Sequence, residues 1–225
     1  MSQIHKSRAS ISPYIDTIWK TQNISDGVYL ATPDGSWDLI VLIHKSGARQ
    51  MLLAGQATKP QYVPYQAGTG SVVISFASGA YMPFHPADTL TDSAEMLPNL
   101  DDDHFMLAGH AFEFPTFENA EQLVDKTVAL KILKNDAVVE GELRGAPKAM
   151  SERAKQRHFS RTTGLTKKYL NQIKQAQRAI ILLQQGKRPI DAAIEAGYTD
   201  QPHLAKSLKK IMNSRPSNID EIHKL

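Results

Sequence analysis

Between Gly186 and Ile219 the chain reads G-K-R-P-I-D-A-A-I-E-A-G-Y-T-D-Q-P-H-L-A-K-S-L-K-K-I-M-N-S-R-P-S-N-I. The placement of its glycines and prolines leaves few folds open. Pro189 stands where a first helical turn tolerates proline, since its missing N–H would be unpaired there. Ile190, Ala193 and Ile194 recur at helical spacing on one face. Gly197 ends that helix in a left-handed conformation that glycine adopts without steric cost. Thr199 or Asp200 caps the next helix, Pro202 lies in its first turn, and Leu204, Leu208 and Ile211 form its buried stripe. Asn213 and Pro216 stop it. Two short helices held at an angle by a glycine turn have the shape that places a helix in the major groove of DNA.

The second helix leaves Gln201, His203, Lys206, Ser207 and Lys210 pointing outward. Glutamine reads an adenine edge with two hydrogen bonds, lysine and histidine donate to guanine, and the rest suit phosphates. An ordinary solvated helix would show the same polar face. The helix alone does not decide between the two.

The run A-G-Y-T-D-Q-P-H-L followed by K-K, then Asn213 and Pro216, resembles the second helix-turn-helix of AraC/XylS-type transcription regulators. That family carries two such units joined by one long helix, so the resemblance implies a first unit upstream. Ala149 to Gly164, A-M-S-E-R-A-K-Q-R-H-F-S-R-T-T-G, is similar to it. Ser151 suits an N-cap, Phe159 a buried anchor and Gly164 a C-terminal stop. The resemblance extends from near Leu123 to Ile219. It implies base reading by Arg153, Gln156 and Arg157 in the first unit and by Gln201, Pro202, His203 and Lys206 in the second. Lys209 and Lys210 are expected beside them at the DNA. Two positions depart from the family pattern. Lys155 stands where a leucine or isoleucine is usually buried, its stem covering the core and its ammonium reaching solvent or a phosphate. Pro202 replaces a residue that often donates a hydrogen bond, which narrows base reading by the second helix.

Between the two units, Leu165, Tyr169, Ile173, Ala176, Ile180 and Leu183 form an amphipathic pattern from a Thr166 cap to a Gly186 stop. A helix of about twenty residues is ~30 Å long, and successive major-groove faces on one side of B-DNA lie ~34 Å apart. Charge follows the same division. Residues 1–112 hold six basic and ten acidic residues, and residues 113–225 hold twenty and thirteen, within a chain of net charge +3. Residues 147–215 alone hold fifteen basic and four acidic residues, net +11, the footprint of a phosphate-binding surface.

The 225 residues suit two domains. With no cysteine, disulfides, a thiol sensor, a cysteine nucleophile and zinc-finger chemistry are excluded. No apolar run is long enough to span a membrane, and the opening M-S-Q-I-H-K-S-R lacks the apolar segment of a secretion signal, so a cytoplasmic location is expected.

The N-terminal half reads as strands. Trp37–His44 follows the turn Pro33-Asp34-Gly35, and Arg49–Leu53 and Ser71–Ala77 are further strand candidates. Their close spacing suggests a small curved sheet or partial barrel. The resemblance implies a β-rich sensing domain here. This half is also similar to a less-studied type of sensor found ahead of such DNA-binding units, with a P-D-G-x-x-D-L core and a later aromatic-proline loop. Trp37, Asp38, Tyr81, Phe84 and His85 are the candidates for a ligand pocket, the last three lying in the loop G-A-Y-M-P-F-H-P at 79–86. His44, His85, His104 and His110 lack the H-x-H pair of a metal-binding cupin, and Asp101-Asp102-Asp103 reads as an exposed acidic loop. No nucleophile triad, phosphate loop or paired-carboxylate pattern stands out, so no catalytic residue, metal site or cofactor is expected.

The expected architecture is therefore α+β: a β-rich, cupin-like or partial-barrel domain at 1–112, a linker at 113–122, and an all-α DNA-binding domain at 123–225. In that last domain a helix over Leu123–Leu133 and another over Ala137–Leu143 scaffold the first unit. The expected function is sequence-specific, DNA-binding regulation of transcription in answer to a small molecule or partner. Double-stranded DNA is the expected partner. RNA polymerase, a small-molecule effector and a second copy of the chain are further candidates, and a membrane is not. The alternative class is a cupin-like small-molecule-binding protein or enzyme whose helical tail binds partners.

Overall fold

The computed structural model describes residues 2–214 and Pro216. The end of the expected C-terminal domain, residues 217–225 with Ile219, lies outside the described residues. Twelve strands and six helices are described. In chain order they are β1 (Gln3–Arg8), β2 (Ile15–Asn23), β3 (Gly27–Ala31), β4 (Asp38–Ile43), β5 (Arg49–Ala54), β6 (Gln61–Tyr65), β7 (Gly70–Phe76), β8 (Ala80–Tyr81), β9 (Ala94–Met96), β10 (His104–Leu107) and β11 (His110–Glu113). There follow α1 (Ala120–Ala129), β12 (Lys134–Asn135), α2 (Ala137–Leu143), α3 (Glu152–Thr163), α4 (Lys167–Gln184), α5 (Pro189–Glu195) and α6 (Gln201–Met212).

The main sheet is antiparallel, in the order β1-β2-β7-β4-β5-β9, and three two-stranded ribbons (β3-β6, β8-β12 and β10-β11) flank it. Alternation sets its inner face: Leu39 and Val41 from β4 and Met51 and Leu53 from β5 are buried. In β7, S-V-V-I-S-F is buried from Val72 to Phe76, as suits a strand with neighbours on both sides and cover on both faces. The strand candidates of the sequence become β4, β5 and β7. The hairpin β10-β11 gave no sequence signal. Its turn holds Ala108 and Gly109 both at positive φ, 51° and 79°, and an alanine there lacks the Asn-Gly signature of such turns.

Packing divides the chain elsewhere than expected. Leu123, Val124, Ile132 and Leu133 join the core of the β-rich half, so α1 belongs to that half and does not scaffold the first helix-turn-helix. Arg8 of β1 clasps it, donating to Glu121 Oε1 and Oε2 at 2.5 and 2.7 Å and to the Phe117 carbonyl. The segment 113–122 is no free linker either, since Phe114 and Ala120 are buried. A second core runs from Val139 through Phe159, Ile173 and Ile180 to Leu208 and Met212. The seam lies at β12, where Lys134 and Asn135 pair with Tyr81 and Ala80.

Candidate nucleic-acid interface

Helix α3 is started and stopped by the residues that suit those tasks. Ser151 Oγ accepts from Ala154 N at 3.3 Å, and Gly164 closes the helix with φ of 67°. Phe159 is fully buried beneath it. On the outer side Arg153, Gln156 and Arg157 are exposed, and they have no hydrogen bond or ion pair to the described residues.

Lys155 is largely withdrawn from solvent, its side chain 13% exposed. Its Nζ lies 2.8 Å from Glu142 Oε1 and 3.1 Å from Glu152 Oε1. Glu142 extends from α2, its side chain 3% exposed, and Lys167 is its second cation. The pairings with Lys155 and then Lys167 hold the Glu142 carboxyl below the usual carboxylate range. Position 155, where the family resemblance leads one to expect a buried apolar side chain, thus holds an ion pair to the neighbouring helix.

Helix α4 begins at Thr166, whose Oγ1 accepts from Tyr169 N at 3.1 Å, and its 18 residues make a rod of roughly 27 Å. Leu170, Ile173, Ala176, Ala179, Ile180 and Leu182 are buried. Tyr169, expected in that stripe, is partly buried against the second core and also reaches the β-rich half, donating to the Thr58 carbonyl at 2.6 Å.

In the second unit Asp200 rather than Thr199 caps α6, accepting from His203 N at 2.7 Å. Gly197 has φ of 86° and Asn213 ends α6 with φ of 49°. Leu204, Leu208 and Ile211 are buried, and Gln201, Pro202, His203, Lys206, Lys209 and Lys210 are exposed. His203 stands edge-on to Tyr198 and its Nδ1 lies 3.1 Å from Thr199 Oγ1, which fixes the ring. Lys209 Nζ donates to Asn213 Oδ1 at 2.8 Å. Ser207 turns inward to Tyr198, oxygen to oxygen 3.0 Å, and leaves the outer face. In α5 the buried residues are Ala192 and Ala193. Ile190 and Ile194, expected beside Ala193, are exposed at 39% and 64%.

The inner side of α3 is tied to the β-rich half through Asp136. That carboxylate caps α2 by accepting from Val138 N and Val139 N, and it meets His158 Nδ1 at 2.7 Å, Arg161 Nη2 at 2.9 Å and Thr162 Oγ1 at 3.1 Å. Burial pushes its pKa up, but the bonds from His158 and Arg161 outweigh burial and hold it at about 2. Asp136 N donates to the Gly79 carbonyl, and the Arg161 guanidinium lies 5.3 Å from the centre of the Tyr81 ring.

Beside this junction is a cavity of about 30 Å³, lined by Trp37, Tyr81, Met82, His85, Leu90 and Thr162 among others. Of the pocket candidates, Trp37, Tyr81 and His85 meet there. Trp37 is also core, stacked 3.9 Å from Phe76. Phe84 and Asp38 do not line the cavity. Phe84 is 46% exposed, and Asp38 sits beside Asp34, where burial and then that neighbour push its carboxyl well above the usual range. Sequence reasoning missed Gln56, Asp136 and Thr162. Only Asp136, before A-V-V-E, carried a readable signal, that of an N-cap. Among the described residues no group of three or more histidines and carboxylates is placed so that it could hold a metal ion, and no helix is long and apolar enough to cross a membrane.

Residues 148–221 match the family model of a helix-turn-helix domain. No curated protein matches the chain. Solved structures with a similar course include ToxT from Vibrio cholerae, at 10% identity over 100% of both chains with a TM-score of 0.41. ToxT of Vibrio cholerae O395 bound to (E)-4-(8-methylnaphthalen-1-yl)but-3-enoic acid has 10% identity over 96% of this chain and 97% of that one, with a TM-score of 0.39. Neither likeness is close enough to carry a residue across.

Proposed function

We propose that this chain is a DNA-binding transcription regulator of the AraC type, on the strength of the helix-turn-helix match over residues 148–221, and that it reads one operator with both α3 and α6. In this reading Arg153, Gln156 and Arg157 meet base edges in one major-groove face, and Gln201, His203 and Lys206 meet them in the next. Lys209 and Lys210 hold phosphates, and Pro202 contributes only apolar contact. The observation that carries the reading is the outward triad of α3, which sits on a helix fixed by cap, anchor and stop yet has no hydrogen-bond or ion-pair partner among the described residues. Exposed donors that no hydrogen bond engages suit a ligand rich in acceptors.

The β-rich half, in the same reading, governs α3 in answer to a small molecule. Its support is the junction at Asp136, Arg161 and Tyr81, through which a shift in β8 would reach the first recognition helix. Binding that favours one arrangement of this junction shifts the population able to engage DNA.

Selection of bound sequences from random duplexes tests the reading. The full chain is expected to enrich a motif with two blocks, and Arg153→Ala and Gln156→Ala should each relax one block at a cost of about 1–3 kcal/mol. Equal losses on selected and random DNA would mean that α3 faces phosphates.

A further inference from the structure

The cavity between the β-rich half and α3 is complete everywhere but at one side chain. Gln56 lines it and is 2% exposed, yet neither its Oε1 nor its Nε2 has a hydrogen-bond partner among the described residues. A buried polar atom left unpaired costs about 1–3 kcal/mol, and natural interiors hold few of them. The polar neighbours offer no relief. Trp37 Nε1 donates to the Ala80 carbonyl at 2.8 Å, Thr162 Oγ1 donates to Asp136, and His85 Nε2 lies 3.0 Å from Glu95. The remaining walls include Leu53, Met82 and Leu90. An apolar recess thus presents one unused carboxamide.

We propose that this cavity is a ligand site whose occupant offers Gln56 an acceptor and a donor side by side, as a primary carboxamide, lactam or cyclic imide does. The claim rests on the small-molecule control proposed above. The pairing follows from the side chain itself: Nε2 requires an acceptor and Oε1 a donor. A carboxylate would satisfy Nε2 but set its second oxygen against Oε1, and a hydrocarbon would satisfy neither. At about 30 Å³ the recess takes the polar edge, and an apolar or aromatic body would lie across its mouth against Tyr81 and Leu90. Because Thr162 belongs to α3, the occupant lies against the first recognition helix.

The test is a titration of the full chain, labelled with ¹⁵N, with benzamide and acetamide as probes and benzoate and toluene as controls. The Gln56 side-chain amide resonances, identified by their loss in Gln56→Leu or by sequential assignment, are the readout. They are expected to move with both amides and to stay in place with the controls, and affinity for benzamide should fall at least about tenfold in Gln56→Leu. Amide resonances that ignore benzamide, or that move equally with toluene or benzoate, overturn the proposal and leave the recess to water. Duplex binding by the unliganded chain is measured in parallel. Intact DNA binding without a benzamide response defeats this inference alone, whereas absent DNA binding defeats the function proposed above whatever benzamide does.

Discussion

The carboxylate of Asp136 holds the start of α2 and the inner side of α3 together, accepting from two backbone N–H groups and from His158, Arg161 and Thr162. Its ordinary pKa is 3.8 and its folded value about 2. The folded state therefore binds its proton less tightly than the unfolded chain does, so the stability it adds is fully present above the unfolded value. That stability should fall as pH drops from about 4 towards 2. Urea unfolding of the full chain across that range measures the slope, and Asp136→Asn should flatten it. Asp136→Ala also leaves a helix start uncapped and Arg161, His158 and Thr162 without this partner, for an expected loss of about 1–2 kcal/mol at neutral pH. The neighbouring case of Lys155 marks where the sequence becomes illegible at this scale. Its departure from the family pattern was plain, but its partner Glu142 lies on another helix, and no local pattern reveals a pair made across a turn. Gln56 was illegible for a related reason. A glutamine between Gly55 and Ala57 reads as solvated, and only the packing of Leu90 and Trp37 around it makes it a buried group.

Turns and helix ends were the most legible elements, because glycine and the short polar caps act through local backbone chemistry. Ser151, Gly164, Thr166, Gly197 and Asn213 all take the roles their positions suggested. Which face of a helix is buried was less secure. In α5 the larger residues Ile190 and Ile194 are exposed, and it is the alanines Ala192, Ala193 and, just past its end, Ala196 that pack into the core shared with α4 and α6. Two glycines at positive φ illustrate how the surroundings change the cost of one substitution. Gly197→Ala meets nothing nearer than Gln175 Nε2 at 3.5 Å, so its cost is the left-handed backbone alone, about 1–2 kcal/mol. Gly35→Ala would place its Cβ 2.3 Å from Leu170 Cδ1, and Leu170 is fully buried in the second core. That turn thus carries a contact between the halves of the molecule as well as a conformation. Thermal unfolding followed by circular dichroism should show a clearly larger fall in Tm for Gly35→Ala than for Gly197→Ala. An equal fall would mean that α4 yields freely to the β-rich half.

At the scale of the whole molecule, the two helix-turn-helix units share one core. Phe159 beneath α3, Ile173 and Ile180 along α4, and Leu208 beneath α6 belong to a single buried cluster. The sequence supplied the length of α4, but its rigidity follows from this shared packing, in which Leu170 and Leu182 are buried near its two ends. A rod of roughly 27 Å fixed at both ends sets one separation and one angle between the recognition helices. It cannot follow an operator whose halves are rotated apart. Duplexes carrying the selected site therefore make a sharp test. Half-sites lie 10–10.5 base pairs apart in the preferred geometry, at about one helical turn. Inserting five base pairs between the blocks carries the second block to the opposite side of the duplex, and Gln201, His203 and Lys206 lose their base contacts. With each mismatched base pair worth about 1–3 kcal/mol, affinity is expected to fall 100-fold or more, towards that of a single block. Inserting ten base pairs restores the face but adds about 34 Å, which the rod cannot span, so binding should stay weak. A flexible pair of units would behave differently, recovering affinity with the ten-pair insertion. Fluorescence anisotropy at one fixed salt concentration distinguishes the two. Unchanged affinity after the five-pair insertion would show that only one of α3 and α6 reads DNA at a time, and the two-helix reading would have to be given up.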